Sequence, residues 1–220
     1  RLRTDGKELN KSNPKTHTFT HYESTLKTKV VSIASYSQTE LAISVFGDRF
    51  WIFNKLNGEL RPMPVNDPEL NYQVKYAGVG INICNENDGK LLIFGRTLNR
   101  YDRSTGLCRR IKIDSGTKSI GYFLSIGNTD KGLWFHDNRK LYFLPTGAED
   151  LTTVSVFSSN ETIRCGHIDQ KGDIWIATSD GLHRFDTTDR SFHKIPTSLF
   201  NDVVSVVCDK RDRVWVGTKY

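Results

Sequence analysis

Gly172-Asp173-Ile174-Trp175-Ile176-Ala177-Thr178-Ser179-Asp180-Gly181-Leu182-His183-Arg184-Phe185-Asp186 decides the fold, because the chain repeats this stretch in altered form. Forty residues on stands Asp212-Arg213-Val214-Trp215-Val216-Gly217-Thr218. Forty-one residues before Trp175 comes Lys131-Gly132-Leu133-Trp134-Phe135, followed by Lys140-Leu141-Tyr142-Phe143. An earlier copy runs Gly89-Lys90-Leu91-Leu92-Ile93-Phe94-Gly95 into Leu98-Asn99-Arg100-Tyr101-Asp102. The most degraded runs Glu40-Leu41-Ala42-Ile43-Ser44-Val45 into Phe50-Trp51-Ile52-Phe53-Asn54. The anchor positions are 42, 92, 134, 175 and 215, with steps of 50, 42, 41 and 40. A period near 40 built from short strands is the signature of a β-propeller.

One unit reads as four strands. Residues 163–169 form the first, closed by the turn Asp169-Gln170-Lys171-Gly172, and Ile174-Trp175-Ile176-Ala177 form a second, apolar enough to be buried on both faces. The turn Ser179-Asp180-Gly181 leads to a third strand over 182–185, since Asp-Gly accepts positive φ cheaply. The fourth, 191–195, ends at Pro196, which cannot donate to a ladder. No stretch sustains a 3.6-residue period over helical length, so the fold class is all-β: a propeller of four-stranded antiparallel blades, about five blade equivalents.

The expected divisions are a partial blade at about 1–25, blades at about 29–64, 79–113, 119–157 and 162–196, and a partial blade at about 202–220. The N-terminal piece reads as third and fourth strands only, and the C-terminal piece as first and second. The half units could pair and close a small ring. The lack of an initiator Met or leader favours a piece of a larger propeller. The surplus in the 50-residue step falls in residues 62–78, where Pro62, Pro64 and Pro68 dictate a loop joining one blade to the next.

At 220 residues the chain fits one domain with a substantial core. Its net charge of +6 is scattered, with Arg109-Arg110 and Lys112 the densest cluster, which fits solvated blade edges better than a nucleic-acid partner. Cys84, Cys108, Cys165 and Cys208 form no Cys-x-x-Cys pair and no zinc spacing, so no metal and no cofactor are expected. Cys84, Cys165 and Cys208 fall in first strands, where burial and inertness are expected. No run of 18 apolar residues suggests membrane contact by this region.

Val203-Val204-Ser205-Val206 through Trp215-Val216-Gly217-Thr218, with Trp175-Ile176-Ala177-Thr178 through Phe185-Asp186, resembles the two-component regulator propeller repeat. Asn13-Pro14-Lys15-Thr16-His17-Thr18-Phe19-Thr20-His21-Tyr22 is typical of how such a unit ends. The resemblance implies the periplasmic sensor region of a Bacteroidetes hybrid two-component histidine kinase. It implies an oligosaccharide ligand, control of polysaccharide-utilisation genes, further propeller and β-sandwich regions in the same parent chain, and a homodimer in the intact sensor. Fold alone does not license function, since propellers also serve as scaffolds, glycosidases and lyases.

Ligand candidates belong on the rim shared by the second-to-third-strand turns and the blade linkers, where the units diverge most: residues 46–49, 95–97, 136–139, 179–180 and the long loop. Sugars need aromatic faces and paired polar groups, which Tyr72, Tyr76, Asp67, Arg49, Arg96, His136 and Asp137 supply, with Asn66 and Glu69 beside them. Trp51 departs from its repeat counterparts Asn99 and His183, so it is either an exposed platform or, more in keeping with the repeat, a packing aromatic. Trp134, Trp175 and Trp215 occupy the structural anchor and should be core. A glycosidase would need two facing carboxylates, and Asp67, Glu69, Asp137 and Asp180 are the available ones. Most Asp residues sit in turns that explain them, so no catalytic residue is assigned.

Overall fold

The computed structural model describes residues 2–4, 9–13, 15–22, 26, 28–71, 81–86, 90–95, 97–113, 122–158, 160–196 and 201–219. The chain divides into two compact units, one of residues 1–85 and 89–110, the other of 86–88 and 111–220. Among the described residues helix is confined to 68–71, and no helix is long and apolar enough to cross a membrane.

The first unit holds three antiparallel sheets. β1 (Leu2–Thr4), β2 (Leu9–Asn13) and β3 (Thr18–Tyr22) form the first. Two strands are expected there. The third is Leu2–Thr4, which the polar Leu-Arg-Thr run does not announce but which pairs with residues 9–11. The second sheet is β4 (Val30–Ser35), β5 (Glu40–Val45), β6 (Phe50–Asn54) and β7 (Leu60–Pro62), and the third is β8 (Asn82–Asn85), β9 (Leu91–Phe94), β10 (Leu98–Tyr101) and β11 (Cys108–Arg110). Side-chain alternation explains the stack. Leu41, Ile43, Val45 and Phe53 pack with Leu9 on one face of the second sheet. Ala42, Phe50 and Ile52 point the other way and pack with Ile83, Leu91, Ile93 and Tyr101 of the third. A strand that serves two interfaces must be apolar on both sides.

The second unit begins with β12 (Lys112–Ile113), which runs parallel to β16 and adds a fifth strand to β13 (Leu124–Thr129), β14 (Gly132–His136), β15 (Lys140–Pro145) and β16 (Asp150–Val156). Four strands are expected here; two linker residues cover the outer edge instead of leaving it open. The next sheet is β17 (Ile163–Ile168), β18 (Ile174–Thr178), β19 (Gly181–Asp186) and β20 (Ser191–Lys194), and the last is β21 (Val203–Cys208) with β22 (Val214–Thr218). Trp134, Leu141, Ile174, Ile176 and Phe185 fill one interface; Ala177, Leu182, Val203 and Val206 fill the next. The sheets approach so closely that a Cβ on Gly166 would lie 2.9 Å from Ile126.

Four first strands carry a bulge, between Val30 and Ser32, Ser125 and Gly127, Ile163 and Cys165, and Val203 and Ser205, while β8 pairs with β9 in unbroken register. Each bulge adds local twist. The turn after the first strand is built by an aspartate. Asp169 Oδ1 accepts the amides of Lys171 (2.9 Å) and Asp173 (3.0 Å) while its Oδ2 accepts the Trp175 indole N–H (2.9 Å). Asp209 repeats this with Arg211, Arg213 and Trp215.

Two packing expectations are corrected. The four cysteines are half-buried rather than fully buried, although Cys84, Cys165 and Cys208 do lie on first strands. Burial nevertheless pushes the Cys108 thiol up to about 12 and Cys208 to about 11. Trp134 is 6% exposed, Trp175 is half-buried, and Trp215 is 59% exposed. Each anchor tryptophan faces the sheet that follows it, and among the described residues no sheet follows β22.

Candidate functional site

Strand register aligns the units. Ala42 pairs with Ile52, Leu92 with Arg100, Trp134 with Phe143 and Trp175 with Arg184. Trp51, Asn99, Tyr142 and His183 therefore occupy one equivalent third-strand position. Three of these side chains donate to a nearby polar group, and the fourth lies close to one. Trp51 Nε1 donates to Asp48 Oδ2 (3.0 Å), Asn99 Nδ2 to Thr97 Oγ1 (2.9 Å) and Tyr142 OH to Asp137 Oδ2 (2.7 Å), while His183 Nε2 lies 2.7 Å from Glu161 Oε1. Trp51 is thus the packing aromatic of its sheet, half-buried against the core of the first two sheets.

The same logic accounts for His136 and Asp137, which are 3% and 8% exposed. Asp137 Oδ1 accepts the amides of Arg139 and Lys140, each at 2.7 Å, and the Tyr142 hydroxyl takes its other oxygen. The His136 Nδ1 lies 2.9 Å from the Asp137 carbonyl oxygen, and burial holds the imidazole below its ordinary pKa. Tyr142 is raised, by burial first and then by its bond to Asp137. This corner is a closed, self-satisfied turn.

The long linker is not a plain loop. β7 extends to Pro62, and residues 68–71 make a helical turn whose N-terminus is capped by Asp67, with Oδ1 accepting the Leu70 amide at 2.9 Å. Asn71 Nδ2 donates to Val65 O at 2.9 Å, and Asn66 N and Nδ2 bond Gly106 O and Thr105 O. These bonds fold the linker back against the sheets and shape a cleft of about 330 Å³. Its walls are the turn Gly47-Asp48-Arg49 on one side and Pro62, Met63, Val65 and Asn71 on the other. Arg49 is brought into this cleft, with a side chain 63% exposed. Tyr72, Tyr76 and Arg96 lie outside the described residues.

Sequence reading missed the contributions of Met63 and Asn71, and the coupling of Asp48, Arg49 and Trp51. The Asp-Arg-x-Trp spacing does not announce the last, since in Asp212-Arg213-Val214-Trp215 the indole N–H reaches Asp209 instead. The carboxylates a glycosidase would recruit all have other partners: Asp67 caps the helical turn, Asp137 closes its own turn, Glu69 lies 3.4 Å from Arg110, and Asp180 lies 2.6 Å from Lys194. A second hollow of about 200 Å³ adjoins His167, Cys208 and Lys210, but its Asp169 and Asp209 are taken by turn amides and indoles. Among the described residues no cluster of His, Cys, Asp and Glu suits a metal.

Residues 197–220 match the two component regulator propeller family. The C-terminal repeat is therefore of the kind its sequence resembles. No curated protein matches the chain. Among solved structures, the chain is similar to the extracellular domain of the putative hybrid two component system BT4673 from B. thetaiotaomicron, with a TM-score of 0.73 and 17% identity over 97% of this chain and 29% of that one. It is also similar to the corresponding domain of BT3049 from the same organism, with a TM-score of 0.66 and 18% identity over 97% of this chain and 30% of that one. Virginiamycin B lyase from Staphylococcus aureus matches with a TM-score of 0.70 and 14% identity over 96% of this chain and 70% of the lyase. The fold is that of a β-propeller, and the chain spans just under a third of the length of the two-component structures it resembles.

Proposed function

We propose that this chain is part of the ligand-sensing propeller of a hybrid two-component sensor, exported to the periplasm, which recognises an oligosaccharide and passes the event to a kinase controlling polysaccharide-utilisation genes. The observation that carries the reading is the cleft between the Gly47-Asp48-Arg49 turn and the long linker, at the place where this unit departs most from the others. Repeated residues hold sheets together; the unrepeated ones are left to face a ligand. The repeat match at 197–220 and the likeness to extracellular domains of two-component systems support the sensor setting.

Signalling would rest on differential affinity, the ligand favouring one arrangement of the parent's propeller and β-sandwich regions, or of its homodimer, over another. Thermal-shift and calorimetric titration against defined oligosaccharides test this. Saturable binding of one glycan, recovered intact, supports the sensor; release of product would make the chain an enzyme. The lyase among the structural relatives is why product must be assayed directly. Silence toward every glycan would shift the reading to a protein-binding scaffold.

A further inference from the structure

Three arginines stack on tryptophans among the described residues, with Cζ 5.9 Å from the ring centroid for Arg49 over Trp51, 5.9 Å for Arg184 over Trp175 and 5.3 Å for Arg213 over Trp215. In two of the stacks the guanidinium already donates to a carboxylate. Arg213 Nε donates to Asp209 Oδ2 at 2.7 Å, and Arg184 grips Asp173 through both Nε and Nη2. Arg49 differs. Its Nε is 3.7 Å from Asp48 Oδ1, too long for a hydrogen bond, while the other oxygen of Asp48 accepts the Trp51 indole N–H. The indole face positions the guanidinium, the turn aspartate positions the indole, and the fork itself is left open beside the cleft.

Resting on the sensor reading above, we infer that this cleft selects an acidic oligosaccharide, with the Arg49 fork taking the carboxylate of a uronic acid. A planar guanidinium matches a planar carboxylate in two parallel bonds, and a pre-held fork loses little side-chain freedom on binding. Asp48 Oδ1, half-exposed on the same turn, accepts a hydroxyl of the same sugar. A uronic acid carries both groups on one ring, whereas a neutral sugar would leave the fork without its match. The apolar wall of Pro62, Met63 and Val65 suits the C–H face of that ring.

The test is calorimetry of the chain at low salt with trigalacturonate and with its methyl ester, which keeps the ring and removes the charge, and with di- and trisaccharides of glucuronic acid. The acid should bind at least about tenfold more tightly than the ester, and Arg49→Gln should abolish that preference while Arg49→Lys keeps part of it. Unfolding midpoints of both variants should match the parent, since Arg49 is exposed. Equal affinity for acid and ester, or an unchanged preference in Arg49→Gln, overturns the inference. A sulfated neutral disaccharide binding more tightly than either uronate overturns the assignment to a carboxylate. Binding confined to neutral glycans overturns the acidic selectivity and leaves the sensor reading standing; no binding of any glycan overturns both.

Discussion

Replacing Trp134 by alanine is predicted to destabilise the second unit far more than replacing Trp215, although the two occupy the same place in the repeat. Trp134 is 6% exposed and lies with ring centroids 4.7 Å from Phe143 and 5.5 Å from Phe185, in a core shared with Ile163, Ile174 and Ile176. A buried indole removes roughly 150–250 Å² from water, about 4–6 kcal/mol as an upper estimate, and large-to-small changes of this kind cost about 3–5 kcal/mol. Trp215 is 59% exposed, and its indole N–H reaches an aspartate that water can satisfy instead, so its loss should cost about 1–2 kcal/mol. Urea unfolding followed by far-ultraviolet circular dichroism reads both without depending on the deleted fluorophore. Because stacked sheets can unfold in steps, amide exchange over Ile174–Thr178 should report the Trp134 change most strongly. Equal losses for the two variants would refute the reasoning that each anchor packs against the sheet that follows it.

Tyr142→Phe strips one donor from the buried Asp137 carboxylate while leaving its two amides, so the variant should lose about 1–3 kcal/mol in the same unfolding experiment; a neutral result would mean the bond is not maintained in solution. Gly166→Ala should cost about 1–3 kcal/mol, because the added Cβ meets Ile126 at 2.9 Å. The turn carboxyls of Asp102, Asp180, Asp189 and Asp209 are held below their ordinary range, chiefly by bonds from Ser104, Lys194, Ser191 and Trp215. Depressed folded values mean that their stabilisation is complete above the unfolded carboxylate range near about pH 4 and is lost as pH falls below it. Unfolding midpoints that stay flat from pH 6 to pH 2 would contradict this. Cys108 and Cys208, raised to about 12 and about 11 by burial and then by nearby aspartates, should react with a disulfide reagent at pH 8 at least about tenfold more slowly than a free thiol. Burst labelling of both would overturn it.

The second strands and their turns were legible because a residue packed between two sheets has little freedom. Ile174, Ile176 and Ala177 read as apolar on both faces, and they are. Leu2–Thr4 and Lys112–Ile113 were not legible, since edge strands are defined by what they pair with rather than by their own side chains. Pro62, Pro64 and Pro68 concealed the helical turn at 68–71, whose marker is the capping Asp67. At the rim, Arg49 was legible as an unrepeated cation. What escaped was the bookkeeping of donors: His136 and Asp137 have the right chemistry for a ligand, but turn amides and a tyrosine already use it. The openness of Arg49 rests on its 3.7 Å separation from Asp48, which only the folded turn reveals.

The most direct test of the account is hydrogen–deuterium exchange of the chain with and without trigalacturonate at saturation. Binding at the proposed cleft predicts slowed exchange confined to residues 45–49 and 62–71. Protection at residues 169–172 and 209–212 instead, along the turns that close the first strands, would contradict it.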